Sequence, residues 1–191
     1  MDRTAGLYAL KPWYADRLAG LRRALLGHGV EPDHVTAAGV VAGAGAGLAL
    51  AALDAGPLAG VVVAVLLAAR LAAANLDGGL ARDLGRTSPR GAVLNELGDR
   101  AAELAVLAGC LAFAPAWLVA VTALAASAPS WVALAGAAAG RPRVQGGPVG
   151  KTERAALLVV LAVTGAAVPV LSVIAAGSLV TAAVRLRAVT R

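Results

Sequence analysis

Residues 75–99 read NLDGGLARDLGRTSPRGAVLNELGD, placing four acidic residues, three arginines and five glycines in a chain otherwise dominated by Ala, Leu and Val. The contrast with its surroundings decides the fold. Of the 191 residues, 59% are hydrophobic and 15% charged, and the mean hydropathy is +0.77. That is too apolar for an ordinary soluble domain and reads as an integral membrane protein. The formal charge of +6 does not point to nucleic acid, because aromatic residues are only 3% and the basic residues are scattered between apolar runs. A single cysteine, Cys110, excludes an internal disulfide, and no Cys/His cluster offers a zinc site.

A membrane-spanning helix needs about 20 apolar residues. Runs near that length lie at about 36–53, 57–76, 92–113, 116–139, 154–170 and 171–186, the last two divided only around Pro169. The first 34 residues hold no apolar run followed by a small-residue cleavage site, so insertion is expected to use the internal segments. With six spans, one side carries Arg22 and Arg23, then Arg82, Arg86 and Arg90, then Arg141, Arg143, Lys151 and Arg154, and finally Arg185, Arg187 and Arg191. The opposite turns, near Asp54, Pro115 and Pro169, carry no Lys or Arg. The positive-inside rule then predicts that both termini are cytoplasmic.

The expected fold is an all-α integral membrane protein with six transmembrane helices, preceded by an N-terminal interfacial amphipathic helix. Residues 1–34 form a cytoplasmic segment and residues 35–191 the membrane domain. Within residues 11–26, Leu18, Leu21 and Leu25 form one stripe, with Asp16, Arg22 and Arg23 elsewhere on the wheel. This suits a helix on the inner leaflet with Trp13 and Tyr14 at headgroup depth, or equally a cytoplasmic helix packed on the membrane domain. The segment GHGVEPDHVT, residues 27–36, reads as a turn in which Asp33 or Thr36 caps the first span. His28 and His34, flanking it, read as solvated loop residues. Gly39, Gly43 and Gly47, with Gly45 beside them, mark a close-packing helix face.

Ionisable groups at membrane depth are costly and therefore functional or mutually paired. Arg70, Ala74 and Asp77 share a face of the second span, and Asn95, Asp99 and Glu103 a face of the third. A short connection predicts that these helices are antiparallel neighbours and share an oxygen-lined pocket. Carboxylate and amide oxygens without cysteine or histidine suit Mg²⁺ or Mn²⁺, and such cations accompany phosphate. Gly78 and Gly79 allow close backbone approach, and Arg82, Arg86 and Arg90 offer charge for phosphate oxygens.

At these residues the sequence resembles the CDP-alcohol phosphatidyltransferases. Their signature runs Asp, two residues, Asp-Gly, two residues, Ala-Arg, eight residues, Gly, three residues, Asp, three residues, Asp. Asp77, Gly78, Ala81, Arg82, Gly91 and Asp99 match it in spacing. VEPDHVT (residues 30–36) looks like the family's approach to its first span, and GGPVGKTER (residues 146–154) like its basic loop. The resemblance implies transfer of a phosphatidyl group from CDP-diacylglycerol to an alcohol acceptor with release of CMP, in phospholipid biosynthesis. Asp99 would be the base for the acceptor hydroxyl, and Gly78, Ala81, Arg82 and Gly91 would serve the nucleotide and phosphate. Arg141, Arg143 and Lys151 would attract an anionic acceptor. The resemblance also implies a homodimer, and the Ala- and Arg-heavy usage points to a bacterial inner membrane.

Two signature positions depart from the pattern: Ala74 stands at the first aspartate and Asn95 at the third. The two-metal site implied by the family loses two of its four negative charges. Glu103, one turn beyond Asp99, is the expected compensating ligand beside Asp77, Asn95 and Asp99, with Glu96 or Asp83 in reach. Glu96 and Arg100 also have the spacing of a helix ion pair. The alternative is a catalytically inactive homologue that binds CDP-lipid or phospholipid and acts as a regulator or partner. A transporter or scaffold has no positive feature in the sequence.

Overall fold

The computed structural model describes residue 14 and residues 16–191, and all regular structure among them is helical. The helices are α1 (Ala19–Gly27), α2 (Pro32–Ala52), α3 (Pro57–Asp83), α4 (Pro89–Gly109), α5 (Ala116–Ala138), α6 (Lys151–Thr164) and α7 (Ala167–Thr190), with a 3₁₀ turn, Cys110–Ala112, extending α4. Trp13 lies outside the described residues.

Three long helices begin at proline, Pro32, Pro57 and Pro89, where the missing N–H needs no partner and the fixed φ already suits a helix. At α4, Ser88 adds a cap by accepting the Gly91 N–H at 3.0 Å. The first span starts ahead of its expected caps: Glu31 precedes the helix and Asp33 lies in its first turn. Thr36 is inside the helix, free to point elsewhere. The break between the last two helices falls at Gly165, not near Pro169. Gly165 has φ +70° and donates its N–H to Leu161 O at 2.8 Å, a left-handed helix end that glycine adopts without strain. Pro169 sits in the first turn of α7, where no N–H is required.

Among the described residues, four helices are long and apolar enough to cross a membrane: α2, α3, α5 and α7. The remaining two expected spans map onto α4 and α6. Helix α4 carries Arg90, Glu96, Asp99, Arg100 and Glu103. Helix α6 has 14 residues, about 21 Å of rise against a hydrocarbon thickness of about 30 Å. Both are where the polar chemistry resides. Outward-facing Val41, Leu48, Leu58, Val61, Val65, Trp117 and Leu179 are all more than half exposed, as expected of a multi-pass membrane protein whose solvent is lipid.

The glycine stripe has a definite use. A Cβ at Gly39 would meet Ala73 of α3 at 3.0 Å, one at Gly43 would meet Ala102 of α4 at 2.7 Å, and one at Gly47 would collide with the Ala105 carbonyl. Helix α2 is therefore seated between α3 and α4, which touch one another little. This corrects the expectation that α3 and α4 are packed neighbours: the thinnest face in the chain belongs to α2, and close backbone approach favours it over direct α3–α4 contact. The glycine stripe is used inside the chain, against α3 and α4.

The main core gathers Leu50, Val63, Leu67, Val106, Leu161, Leu171 and Ile174. A smaller cluster, Val35, Ala73, Leu76 and Leu80, forms at the end of α3 and receives Leu18, Leu25, Leu26 and Val30 from the α1 segment. Leu21, on the expected apolar stripe, remains 48% exposed. Helix α1 is further tied down by the Arg22–Asp83 ion pair at 2.9 Å, and Glu31 by its pair with Arg86 at 3.0 Å.

Candidate active site between α2, α3 and α4

Asp77 is buried, 4% exposed, one turn before the signature's Ala81 and Arg82. Its Oδ1 accepts the Gly78 N–H at 2.6 Å and its Oδ2 accepts the Thr36 hydroxyl at 2.9 Å. The second bond crosses from α2 to α3, which explains why Thr36 is no cap. On α4, the Asp99 carboxylate is ion-paired with Lys151 at the start of α6. The Asp99 backbone carbonyl accepts Arg70 Nη2 at 3.1 Å.

Thr36, Arg70, Ala74, Asp77, Asn95 and Asp99 line one cavity of about 10 Å³, room for roughly one water. All four positions of the signature's acidic set, two substituted, thus converge from helices that scarcely touch. Gly39 and Gly98 of α2 and α4 line it too, so small residues let the three backbones close around the polar groups.

Glu103 has a different role from the expected one. It lies one turn past Asp99, 7% exposed. Arg154 Nε donates to its Oε1 at 2.6 Å, Arg154 Nη2 lies 2.5 Å from the same oxygen, and Arg100 takes Oε2. Both carboxylate oxygens answer guanidinium groups, so Glu103 anchors α4 to α6 and does not line the cavity. The other candidate compensators are likewise engaged. Glu96 pairs with Arg143 and, at 3.6 Å, with Arg100, the expected helix pair, while Asp83 pairs with Arg22.

The remaining substrate-site candidates, Gly78, Ala81, Arg82, Gly91 and Arg141, do not line this cavity. Gly78 and Ala81 continue the Asp77 turn of α3, and Arg82 reaches back so that a Cβ at Gly78 would lie 3.5 Å from its Nη1. Gly91 is held by Ser88 at the start of α4. Arg141 is exposed on the connection after α5. Three residues absent from the expected site set emerge: Thr36, Arg70 and Arg154. Arg70 had a visible signal, a lone charge amid apolar residues on the Asp77 face. Thr36 and Arg154 had none of that kind, because their partners are 41 and 51 residues away.

No protein-family model and no curated protein sequence matches the chain. Solved structures do. The crystal structure of Mycobacterium tuberculosis phosphatidylinositol phosphate synthase with CDP-DAG bound superposes with a TM-score of 0.67 at 25% identity, covering 89% of this chain and 92% of that one. The same enzyme in complex with manganese and citrate gives 0.65 at 26% identity over 90% and 88%. Its apo form gives 0.66 at 24% over 90% and 95%. The structural neighbours of this chain are CDP-alcohol phosphatidyltransferases.

Against that phosphatidyltransferase frame, the donor set can be tested for a divalent cation, since a neighbour holds manganese. Two carboxylates, the Asn95 amide and the Thr36 hydroxyl lining one cavity are hard oxygen donors of the kind Mg²⁺ and Mn²⁺ take. Among the described residues, however, no group of three or more His, Cys, Asp or Glu side chains is placed to hold a metal. The donors suit a divalent cation in kind but are poorer in charge than a four-aspartate signature.

Proposed function

We propose that the chain transfers a phosphatidyl group from CDP-diacylglycerol to an alcohol acceptor, releasing CMP, in phospholipid biosynthesis. The observation that carries this reading is the convergence of Ala74, Asp77, Asn95 and Asp99 on one cavity, in a fold matched along 89% of the chain by an enzyme solved with CDP-DAG. A scaffold would need neither the retained Asp77 and Asp99 nor the Gly78, Ala81, Arg82 and Gly91 around them.

In this reading Gly78, Ala81, Arg82 and Gly91 receive the cytidine nucleotide and its phosphates, with the Arg82 guanidinium lying beside Gly78. A divalent cation held by Asp77, Asn95 and Asp99 would supply charge stabilisation for the pyrophosphate. The acceptor oxygen attacks the β-phosphorus as the Asp99 carboxylate takes its proton. The bond from that phosphorus to the bridging oxygen breaks, and CMP departs with the bonding electrons. Lys151 holds Asp99 until substrate arrives. An anionic acceptor competes for the Lys151 ammonium and so frees the base, and Arg141 and Arg143 extend the attraction outward. The acceptor is therefore an alcohol that itself carries negative charge.

The same reading sets the membrane geometry. The site, α1 and both termini face the cytoplasm of a bacterial inner membrane, by the distribution of Lys and Arg. Helices α4 and α6 complete six spans, α1 lies at the inner interface, and the chain works as a homodimer. A second reading, a non-catalytic binder of CDP-lipid that regulates a partner, is favoured by two features: Ala74 supplies no ligand and Asp99 is occupied by Lys151.

The deciding experiment is CMP release by the purified protein from CDP-diacylglycerol with Mg²⁺ or Mn²⁺, across charged and neutral alcohol acceptors. Acceptor-dependent release that the Asp99→Asn variant lacks is the expected result. Protection by the CDP-lipid without turnover would establish the binder instead.

A further inference from the structure

We propose that Thr181 of α7 is a positioning residue: its hydroxyl fixes the segment 146–150 and thereby sets the Lys151 ammonium against Asp99. The proposal rests on the reading of Asp99 as the base and Lys151 as the group that an anionic acceptor meets, and names what holds that group in place. Lys151 opens α6 and pairs with Asp99 of α4. Its position therefore follows from where the preceding segment ends.

That end is pinned from α7. Thr181 is fully buried, and its Oγ1 accepts the Val149 N–H at 3.0 Å. The same oxygen lies 3.0 Å from Gly177 O and 3.2 Å from Val149 O. A hydroxyl has one proton and two lone pairs, so Thr181 gives its proton to these carbonyls and keeps a lone pair for the Val149 N–H. Two glycines make the approach possible. A Cβ on Gly147 would collide with the Thr181 methyl, and one on Gly177 with the Val149 side chain.

The connection from Thr181 to Lys151 has little slack. One turn along α7, Arg185 Nε donates to Gly146 O at 2.9 Å, holding the start of the segment. At its other end the Gly150 N–H donates to Glu153 Oε2 at 2.9 Å, which locks the residue before Lys151 onto α6. Val149 lies between these two points, and its N–H has Thr181 as acceptor. A buried N–H deprived of its acceptor is costly, so without the hydroxyl the segment moves to find another. Arg154, one turn into α6, stays anchored on Glu103. The displacement then falls on the first turn of the helix, where Lys151 stands.

The test reads Lys151 directly. Lys11 and Lys151 are the only lysines in the sequence, so acylation of the purified protein by acetic anhydride can be followed on the Lys151 peptide by mass spectrometry. An ammonium paired with a carboxylate stays protonated and reacts slowly with an anhydride. Thr181→Val keeps the shape and removes the acceptor, and should speed Lys151 acylation by about fivefold, the scale of one lost hydrogen bond. Thr181→Ser keeps the hydroxyl and should react like the parent, whereas a role in packing alone predicts the reverse order. Gly177→Ala pushes Val149 away with Thr181 intact, should give the same rise, and decides the matter if Thr181→Val does not fold. In the CMP-release assay the KM for the anionic acceptor should rise by a similar factor while that for CDP-diacylglycerol stays constant. Parent-like acylation in the folded variants, Thr181→Ser reacting like Thr181→Val, or faster acylation with an unchanged acceptor KM would overturn the proposal. Faster acylation in a protein whose parent releases no CMP would sink the transfer reading and leave the positioning of Lys151 by Thr181 standing.

Discussion

The α5–α7 half and the α3–α4–α6 end of this molecule bury polar groups by opposite means. In the first, three of the four buried hydroxyls, those of Thr122, Ser127 and Thr181, return to the backbone, while Ser178 is left without a partner. Thr122 donates to Leu171 O at 3.3 Å, Ser127 to Ala123 O at 2.9 Å, and Thr181 to Gly177 O at 3.0 Å. Each of those three finds an acceptor on its own helix or the adjacent one. In the second, Arg70, Asp77, Glu103 and Arg154 are buried and none is satisfied within one turn of its own helix alone. A charge in a low-dielectric interior needs an opposite charge or several strong donors, so α4 is bound to α6 by Lys151–Asp99 and Arg154–Glu103. Hydroxyls can be placed wherever a span runs. Charges dictate which helices must meet.

The comparison breaks most visibly at the chemistry. Asp99→Asn should lower CMP release by about a hundredfold or more, the usual scale for loss of a general base, with an unfolding midpoint close to the parent's. Retained turnover would remove Asp99 from the reaction. Next in size, Arg154→Met strands the Glu103 carboxylate and should cost about 3–5 kcal/mol of stability, read from unfolding in detergent. Replacing both, Glu103→Leu with Arg154→Leu, should recover most of that loss, and failure to recover would mean that the pair does more than neutralise itself.

Smaller effects probe the packing. Gly47→Ala drives a methyl into the Ala105 carbonyl and should cost about 1–3 kcal/mol, the range for overpacking, whereas Gly20→Ala, with open space around it, should be neutral. The least effect is expected in the hydroxyl half. Thr122→Val should cost about 1 kcal/mol, the net worth of one hydrogen bond, with no change in transfer rate. A large loss there would erase the distinction between the halves.

Much of this was legible from residues in a row. Pro32, Pro57 and Pro89 announce helix starts, and the Gly39, Gly43, Gly47 stripe announces close packing. The spacing of Ala74, Asp77, Asn95 and Asp99 announces residues that line one cavity. What misled was also local. Pro169 looked like a boundary because a proline breaks a helix interior, but in a first turn it breaks nothing, and Gly165 with its left-handed backbone is the actual end. Glu103 looked like a metal ligand because it continues the Asn95–Asp99 stripe. Sharing a face says where a carboxylate points and nothing about the cation that meets it there.

The apolar composition and helical periodicity by themselves determined a multi-helix membrane protein, the faces on which its polar residues lie, and the segment in which charge is concentrated. Those properties depend on neighbours within a turn or two along the chain. Only the tertiary structure decided that α2 enters between α3 and α4, that Thr36 serves Asp77, that Lys151 and Arg154 divide Asp99 and Glu103 between them, and that Arg70 is left facing the cavity. Each of these pairings joins residues 29 or more positions apart. They are set by which helix surfaces approach most closely and by the free energy of leaving a buried charge unanswered, neither of which is encoded in any single stretch of sequence.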